Sequence, residues 1–423
     1  MDIKNRKFRS YIFTGEKDKC SGCGACVQIC TKEALSMQSD EEGFLFPVLN
    51  KDKCINCGLC DIRCPEVTSQ ENLQNGFQHC YIATTQYKEF YKESASIGLC
   101  TMLSDYIITQ GGIVFGCFLD ENKWIAYHKG VTDKNGINSL RNSKYLQSDT
   151  KGTYSEVKKF LNMKKKVLYI GTPCQIAGLK AFLHKTYENL FTIDLFCHGV
   201  FSPKLMLLEV KYWENIFNSK VMNFRFRSKR IYTHTNGGMV NFDIMKNGKK
   251  VHVERFAGSS PTYRCFAYNG DGKSYNLRLS CYSCPFKSSK RYADISVGDP
   301  WFIKENIIND CRLKPSNSVR TLYSVNTEKG KKLVSYIEKY LYQKEYNFTD
   351  TFVQPAVCFE FREVPKERVK LFREIENKDY ASLVQSLLNC SLEMEHNKFV
   401  KSYRYEQIKR LIKDFIGYNK WKK

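Results

Sequence analysis

From Tyr81 onward, short apolar runs alternate with amphipathic stretches. YIATTQY (81–87), IVFGCFL (113–119), WIAYHKGV (124–131), VLYIGT (167–172) and TIDLFC (192–197) predict strands, and ADISVGD (293–299) and TLYSVN (321–326) return to the same sheet. Between them, Ser94–Gln110 carries Ile97, Met102, Leu103, Tyr106 and Ile107 near helical spacing and stops at Gly111-Gly112. Further helices are expected over Tyr154–Asn162, from Pro173-Cys174 through Leu179 and Phe182, after a Ser202 cap with Pro203 at the first position, and over Glu328–Tyr340. Residues 221–258 predict a β-rich insertion, with Asn247-Gly248 as a hairpin turn. Past residue 360 the chain reads as helical. Its end, Asn397–Lys423, sets Val400, Tyr403, Ile408, Leu411, Ile412 and Phe415 against many lysines and arginines. This alternation predicts an α/β domain with a mixed, mostly parallel sheet, a β-rich insertion and a helical C-terminus.

Before residue 67 the pattern is different and is set by cysteines. Cys20, Cys23, Cys26 and Cys30 form one C-x2-C-x2-C-x3-C set. Cys54, Cys57, Cys60 and Cys64, followed by Pro65, form a second. Two-residue gaps let three thiolates close on one corner of an iron–sulfur cube, and in two-cluster ferredoxins the fourth cysteine ligates the other cluster. The spacing therefore assigns Cys20, Cys23, Cys26 and Cys64 to one [4Fe–4S] cluster, and Cys54, Cys57, Cys60 and Cys30 to another. Structural zinc has no use for a third cysteine at the same interval. Gly22, Gly24, Ala25 and Gly58 leave room for backbone N–H groups to approach cluster sulfurs. Thr31 stands where the second set has Pro65. Between the sets, Lys32–Met37 reads as a short helix and Gly43–Val48 as a strand. The expected organisation is an α+β ferredoxin-like dicluster module (1–66), a polar linker (67–79), the α/β domain (80–345) and a basic helical region (346–423).

Composition changes this picture in two ways. The formal charge of +22 fits an acidic protein partner, an anionic cofactor or substrate, a nucleic-acid or membrane surface, or simply a lysine-rich wet surface. The nineteen cysteines come with no apolar leader in MDIKNRKFRSYIF and no run of eighteen apolar residues. The expectation is a reducing cytoplasm, metal ligation rather than disulfides, and no membrane span.

Four more cysteines stand apart. Cys174 and Cys197 lie at neighbouring strand ends, and Cys281 and Cys284 form a C-x2-C loop. Ligands bind at the carboxyl ends of strands in open α/β sheets. Spacing alone leaves three readings open: a third [4Fe–4S] cluster, a catalytic Cys174 with His198 nearby, or zinc. Cys80, Cys100, Cys117, Cys265, Cys311, Cys358 and Cys390 read as small buried hydrophobes. His198 is a candidate proton donor or a structural histidine. Asp299 is a candidate hydroxyl-binding carboxylate or a turn residue. No G-x-G-x-x-G stands at a strand–helix junction, so the common dinucleotide fingerprint is absent.

GTPCQIAGLKAFL (171–183), IDLFCHGVFSP (193–203), CYSCPFK (281–287), ADISVGDPW (293–301), SKYLQSD (143–149) and GGIVFG (111–116) together resemble the beta subunit family of coenzyme F420 hydrogenase/dehydrogenase, over roughly residues 80–330. That resemblance implies an iron–sulfur flavoprotein carrying FAD, with some members acting on F420, one branch reducing a hydroxymethyl chlorophyll, and many of unknown substrate. It favours the third cluster on Cys174, Cys197, Cys281 and Cys284. It implies FAD at Ser94, Ser96 and Gly98, whose backbone N–H groups would meet the pyrophosphate, at Lys144, Tyr145, Gln147 and Ser148, and at Thr172, Pro173 and Gln175. Ala95 and Ile97 depart from the family's serine- and glycine-rich turn, and Phe302 replaces a glycine after the G-D-x-W tryptophan.

The function expected on these grounds is an oxidoreductase. It would pass electrons between an electron-carrier protein, the clusters, FAD and an organic or deazaflavin substrate. A carrier without its own substrate and a nucleic-acid-binding iron–sulfur protein are the alternatives. No recognised nucleic-acid module accompanies the charge, and membrane docking of the basic C-terminal helix is the lesser reading.

Overall fold

The computed structural model describes residues 8–68, 79–228, 239–256, 260–266, 274–300, 320–347 and 362–388, with scattered positions from 393 to 408. Cys311, Cys358, Cys390, Phe302, most of the expected linker and nearly all of the C-terminal basic helix lie outside them. The chain divides into two compact units, residues 1–204 with 277–364, and residues 205–276 with 365–423. This division does not follow the boundaries expected at 66, 80 and 345. The cysteine-rich module shares a core with the α/β sheet, whereas the β-rich insertion groups with the C-terminal helices.

In the first unit, β1 (Leu35–Ser39) and β2 (Leu45–Leu49) form an antiparallel hairpin. The helix expected over Lys32–Met37 is thus a turn and strand. Leu35 is buried and its neighbours alternate outward, and β2 offers it a ladder that a one-turn helix lacks. The remaining strands are β3 (His79–Thr84), β4 (Ile113–Asp120), β5 (Ile125–Val131), β6 (Ser148–Asp149), β7 (Val167–Gly171) and β8 (Leu190–Leu195). After β9 (Met222–Ser228), β10 (Met239–Lys246) and β11 (Lys249–Phe256) of the other unit come β12 (Ile295–Gly298), β13 (Thr321–Val325) and β14 (Tyr342–Tyr346).

The large sheet has the order β14-β3-β13-β12-β8-β7-β4-β5-β6. Of its eight pairings, β12–β8, β8–β7, β7–β4 and β5–β6 are parallel and the other four antiparallel. The sheet is therefore half parallel, not mostly so. Its centre is parallel, as the near-continuous apolar run Val167–Gly171 requires of a strand buried on both faces. One face packs on the helices Leu99–Thr109 and Glu328–Ser335, through Ile97, Met102, Leu103, Leu168, Ile193 and Leu333. The other carries Thr153–Asn162 and Pro173–Leu183, and Cys23 and Ala25 of the module join that same core.

The helix expected from Ser94 starts at Leu99, because Gly98 takes a left-handed conformation (φ 80°) and breaks the periodic run. Arg291 and Asp194 form a buried ion pair (2.8 Å) between β8 and the approach to β12, where Arg291 also donates to Ser296 and to the Leu195 carbonyl. Arg291→Leu leaves Asp194 buried without its countercharge. The expected cost is roughly 3–5 kcal/mol, read as a lower denaturation midpoint of the full chain; an unchanged midpoint would show that the pair is dispensable.

In the second unit β9, β10 and β11 form an antiparallel sheet, with Asn247 (φ 50°) and Gly248 (φ 71°) making the expected tight turn. Leu205, Cys265, Tyr275, Leu371, Ile375, Tyr380 and Leu383 form its core. Within it the buried Glu209 carboxylate accepts from Tyr380 (2.6 Å), the Thr262 N–H (3.1 Å) and Trp213 (3.2 Å). These donors satisfy a charge that burial would otherwise disfavour. Among the described residues no helix is long and apolar enough to cross a membrane.

Candidate functional site

The two cysteine repeats fold alike. Gly24 (φ 78°) and Gly58 (φ 72°) each begin a short helix, Ala25–Ile29 and Leu59–Ile62. At those angles a side chain would be strained. Asp61 ties the lead-in down by accepting from the N–H groups of Arg9 (2.8 Å) and Ser10 (2.7 Å). A cavity is lined by Cys20, Cys23, Cys26, Cys60, Cys64 and Glu66.

Burial pushes Cys23 and Cys26 well up, and the neighbouring thiols add to it: Cys64 and Cys26 for Cys23, Cys20 and Cys64 for Cys26. Burial and Glu66 push Cys64 up to about 12. Four crowded, buried thiols are poor free thiolates, and bound iron supplies the charge that stabilises them. Cys20, Cys23, Cys26 and Cys64 are thus brought together from both repeats, and the donor set fits a [4Fe–4S] cluster. Cys60 is pushed to about 11 by burial, with Cys57 contributing; Cys57 itself is exposed. Among the described residues no three groups are arranged to hold a single metal ion. A cluster spreads its thiolates over the corners of a cube and does not require that arrangement.

The module meets the α/β sheet through specific contacts. Thr150 (3.0 Å) and Tyr154 (2.8 Å) donate to the Cys23 carbonyl, and Tyr154 shares its proton with the Gln175 carbonyl (2.9 Å). A Cβ on Gly178 would lie 3.0 Å from the Cys23 sulfur. Cys174 precedes Gly178 by four residues on the same helix face, a rise of about 6 Å. Cys174 is therefore a near neighbour of Cys23, and its thiol is among the groups that raise Cys23.

Cys174 sits in the first turn of the helix that follows β7, Cys197 lies two residues past β8, and Asp299 directly follows β12. All three stand at the carboxyl ends of the central parallel strands. Gly199 brings the Cys197 loop against Cys281, where an added Cβ would meet the Cys281 Cβ at 3.2 Å. The Lys287 ammonium donates to the Cys281 carbonyl (2.9 Å) and closes the C-x2-C loop. Burial pushes Cys174 and Cys197 up to about 12, with Cys281 adding to both; Cys284 is raised well by burial, then by Cys174 and Cys281. Cys174, Cys197, Cys281 and Cys284 are mutual neighbours from three separate stretches of chain.

The residues expected around FAD lie along the same sheet edge but divide by what they do there. Ser96 donates to the Asp299 carboxylate. Ser94 is buried and bonded to Thr101 (2.8 Å). Lys144 donates to the carbonyls of Leu140 and Arg141, and burial lowers it to about 8. Tyr145 joins this edge through its carbonyl, which accepts from the Phe201 N–H (3.1 Å). Gln147 faces the module, where its Oε1 accepts from the Leu45 N–H and from Arg278, both at 3.0 Å. Gln175 forms a capping box with Thr172 at the helix that Pro173 opens, and donates to the Ser148 carbonyl (2.9 Å). Ser148 in turn is held by His128 (2.7 Å).

Arg362 Nη1 lies 3.4 Å from His198 Nε2. A guanidinium only donates, so Nε2 accepts and the imidazole proton sits on Nδ1. His198 as placed offers no proton from Nε2. Arg278, Glu66, Arg141 and Tyr154 carry no signal in the sequence pattern. Arg278, three residues before Cys281, Glu66, two after Cys64, and Arg141, two before Ser143, lie beside motifs that do not themselves mark them.

A dicluster module joined to an α/β domain that gathers further thiols at its strand ends defines an iron–sulfur electron-transfer protein. Residues 19–67 match the 4Fe-4S dicluster domain, and residues 164–350 match the C terminus of the coenzyme F420 hydrogenase/dehydrogenase beta subunit. The chain thus carries a region that matches that beta-subunit family, with the dicluster domain ahead of it. It is 23% identical over 293 residues to the coenzyme F420-dependent sulfite reductase of Methanocaldococcus jannaschii, a match covering 66% of this chain and 42% of that protein. The chain thus spans well under half of that relative. A chain of the F420-reducing [NiFe] hydrogenase complex from Methanosarcina barkeri aligns with a TM-score of 0.37 at 18% identity, over 73% of this chain and 92% of that one.

Proposed function

We propose that the protein is an iron–sulfur flavoprotein oxidoreductase with a third [4Fe–4S] cluster on Cys174, Cys197, Cys281 and Cys284, and FAD at the adjoining strand ends. The clusters would supply one-electron steps and the flavin a two-electron, hydride-type exchange with an organic or deazaflavin substrate. The observation that supports this reading is the packing of Cys23 against Gly178, one helical turn from Cys174, which borders the same core. The chain's own residues position and shield. Tyr154 and Gly178 hold the two ligand loops in contact, and Lys287 and Arg291 supply buried positive charge beside Cys197.

For FAD, the Gly98 helix start, Lys144 and Arg141, whose buried Nε has no hydrogen-bond partner among the described residues, suit an anionic cofactor. Asp299 and Ser96 would meet a hydroxyl or the flavin ring. Gln147 and Gln175 support this edge through packing. The partner would be an electron-carrier protein reaching the exposed Cys57 side, and the substrate a small molecule.

Anaerobically purified protein is expected to hold about twelve irons and one FAD per chain, by the counting rule for three cubanes. About eight irons without flavin would overturn both the third cluster and the flavin. With both present, a screen of F420 and other acceptors against reduced ferredoxin identifies the substrate.

A further inference from the structure

We propose that Arg278 is a positioning residue that raises the reduction potential of one cluster of the dicluster module, the one on Cys20, Cys23, Cys26 and Cys64. This rests on the dicluster assignment and needs neither the third cluster nor the flavin.

Arg278 belongs to the α/β part of the chain yet is fully buried against the module. Its Nε donates to the Cys20 carbonyl (2.8 Å), and its Nη1 to the Leu45 carbonyl and to Gln147 Oε1, both at 3.0 Å. The guanidinium lies over the Phe46 ring, 3.9 Å from its centroid. These contacts fix its plane. Its remaining nitrogen, Nη2, is buried without a hydrogen-bond partner among the described residues. A buried, charged N–H group left unsatisfied is costly unless something anionic meets it.

The anionic group at hand is the Cys20 thiolate. The Nε contact to the Cys20 carbonyl holds the guanidinium beside this ligand residue, and a Cβ added at Gly22, in the same cysteine loop, would lie 3.1 Å from the guanidinium carbon. A four-thiolate cluster gains negative charge on reduction, so a fixed cation beside one ligand favours the reduced form. No described contact joins Arg278 to Cys30, Cys54, Cys57 or Cys60. The effect should therefore be confined to one of two otherwise similar clusters.

The experiment is a redox titration followed by electron paramagnetic resonance on the anaerobically purified full chain. In Arg278→Gln one of the two dicluster signals should fall at least tenfold in its reduced-to-oxidised ratio at fixed potential, about 59 mV for a one-electron couple. The other signal should hold its place. Arg278→Lys keeps the charge and should move the signal much less. Both signals unmoved in Arg278→Gln at full iron content, or Arg278→Lys falling as far as Arg278→Gln, would overturn the proposal. Loss of iron from both variants would overturn it too, since the residue would then only hold the module together. A wild-type chain with about eight irons and no flavin would defeat the proposed function and leave this test intact.

Discussion

Alanine in place of Cys64 is expected to strip the iron from the set made by Cys20, Cys23 and Cys26, although Cys64 belongs to the other sequence repeat. The iron count should fall by about four, and the cluster of Cys54, Cys57 and Cys60 should remain. The reason is the cross-over of the fourth cysteine. Cys64 directly precedes the one-turn helix Pro65–Thr68, which carries it into the cavity lined by Cys20, Cys23 and Cys26. After burial, Cys64 is the largest single influence on the Cys23 thiol. Cys30→Ala is the reciprocal test and should deplete the second set instead. Iron and sulfide analysis, together with the resonance signal that survives, reads the result. Loss of the Cys54 set in the Cys64 variant would mean that each repeat keeps its own four ligands.

The parts of this site that can be read from the chain are those carried by local spacing. Eight cysteines at fixed intervals announce their chemistry without any knowledge of the fold. The Cys281–Cys284 loop and the strand-end cysteines gain a joint reading from position along an α/β pattern. Strand direction is not local. Alternation marks Thr321–Val325 as a strand but says nothing about whether it runs with or against Ile295–Gly298, and so it overstates the share of parallel pairing. Tyr342–Tyr346 gives no strand signal because its polar, largely exposed residues are those of a charged sheet edge. Gln147 and Gln175 show the limit of motif transfer. Both lie where the resemblance places cofactor contacts, and the resemblance carries no sign that one also locks the module and the other also caps a helix. Arg278 and Gly178 act on residues more than 150 positions away, a relation that periodicity cannot express.

Alanine at Cys174 is expected to separate the dicluster module from the flavin without dismantling either. Cys174 is the proposed third-cluster ligand nearest the module, because it shares a helix face with Gly178, which touches Cys23. Its thiol contacts the Thr172 hydroxyl (3.1 Å) but is not one of the two side chains that make the capping box. Thr172 and Gln175 complete that box between themselves, so the helix should start normally in the variant. Three thiolates from Cys197, Cys281 and Cys284 would then face an open corner, and the third cluster should be lost or become labile. Iron should fall by about a third, from about twelve to about eight per chain, with both dicluster signals retained. Flavin reduction by an electron carrier that enters at the module should drop to background, while direct chemical reduction of the flavin proceeds. Retained iron with unimpaired carrier-driven flavin reduction would show that electrons reach the flavin without Cys174, and the path through the strand ends would have to be abandoned.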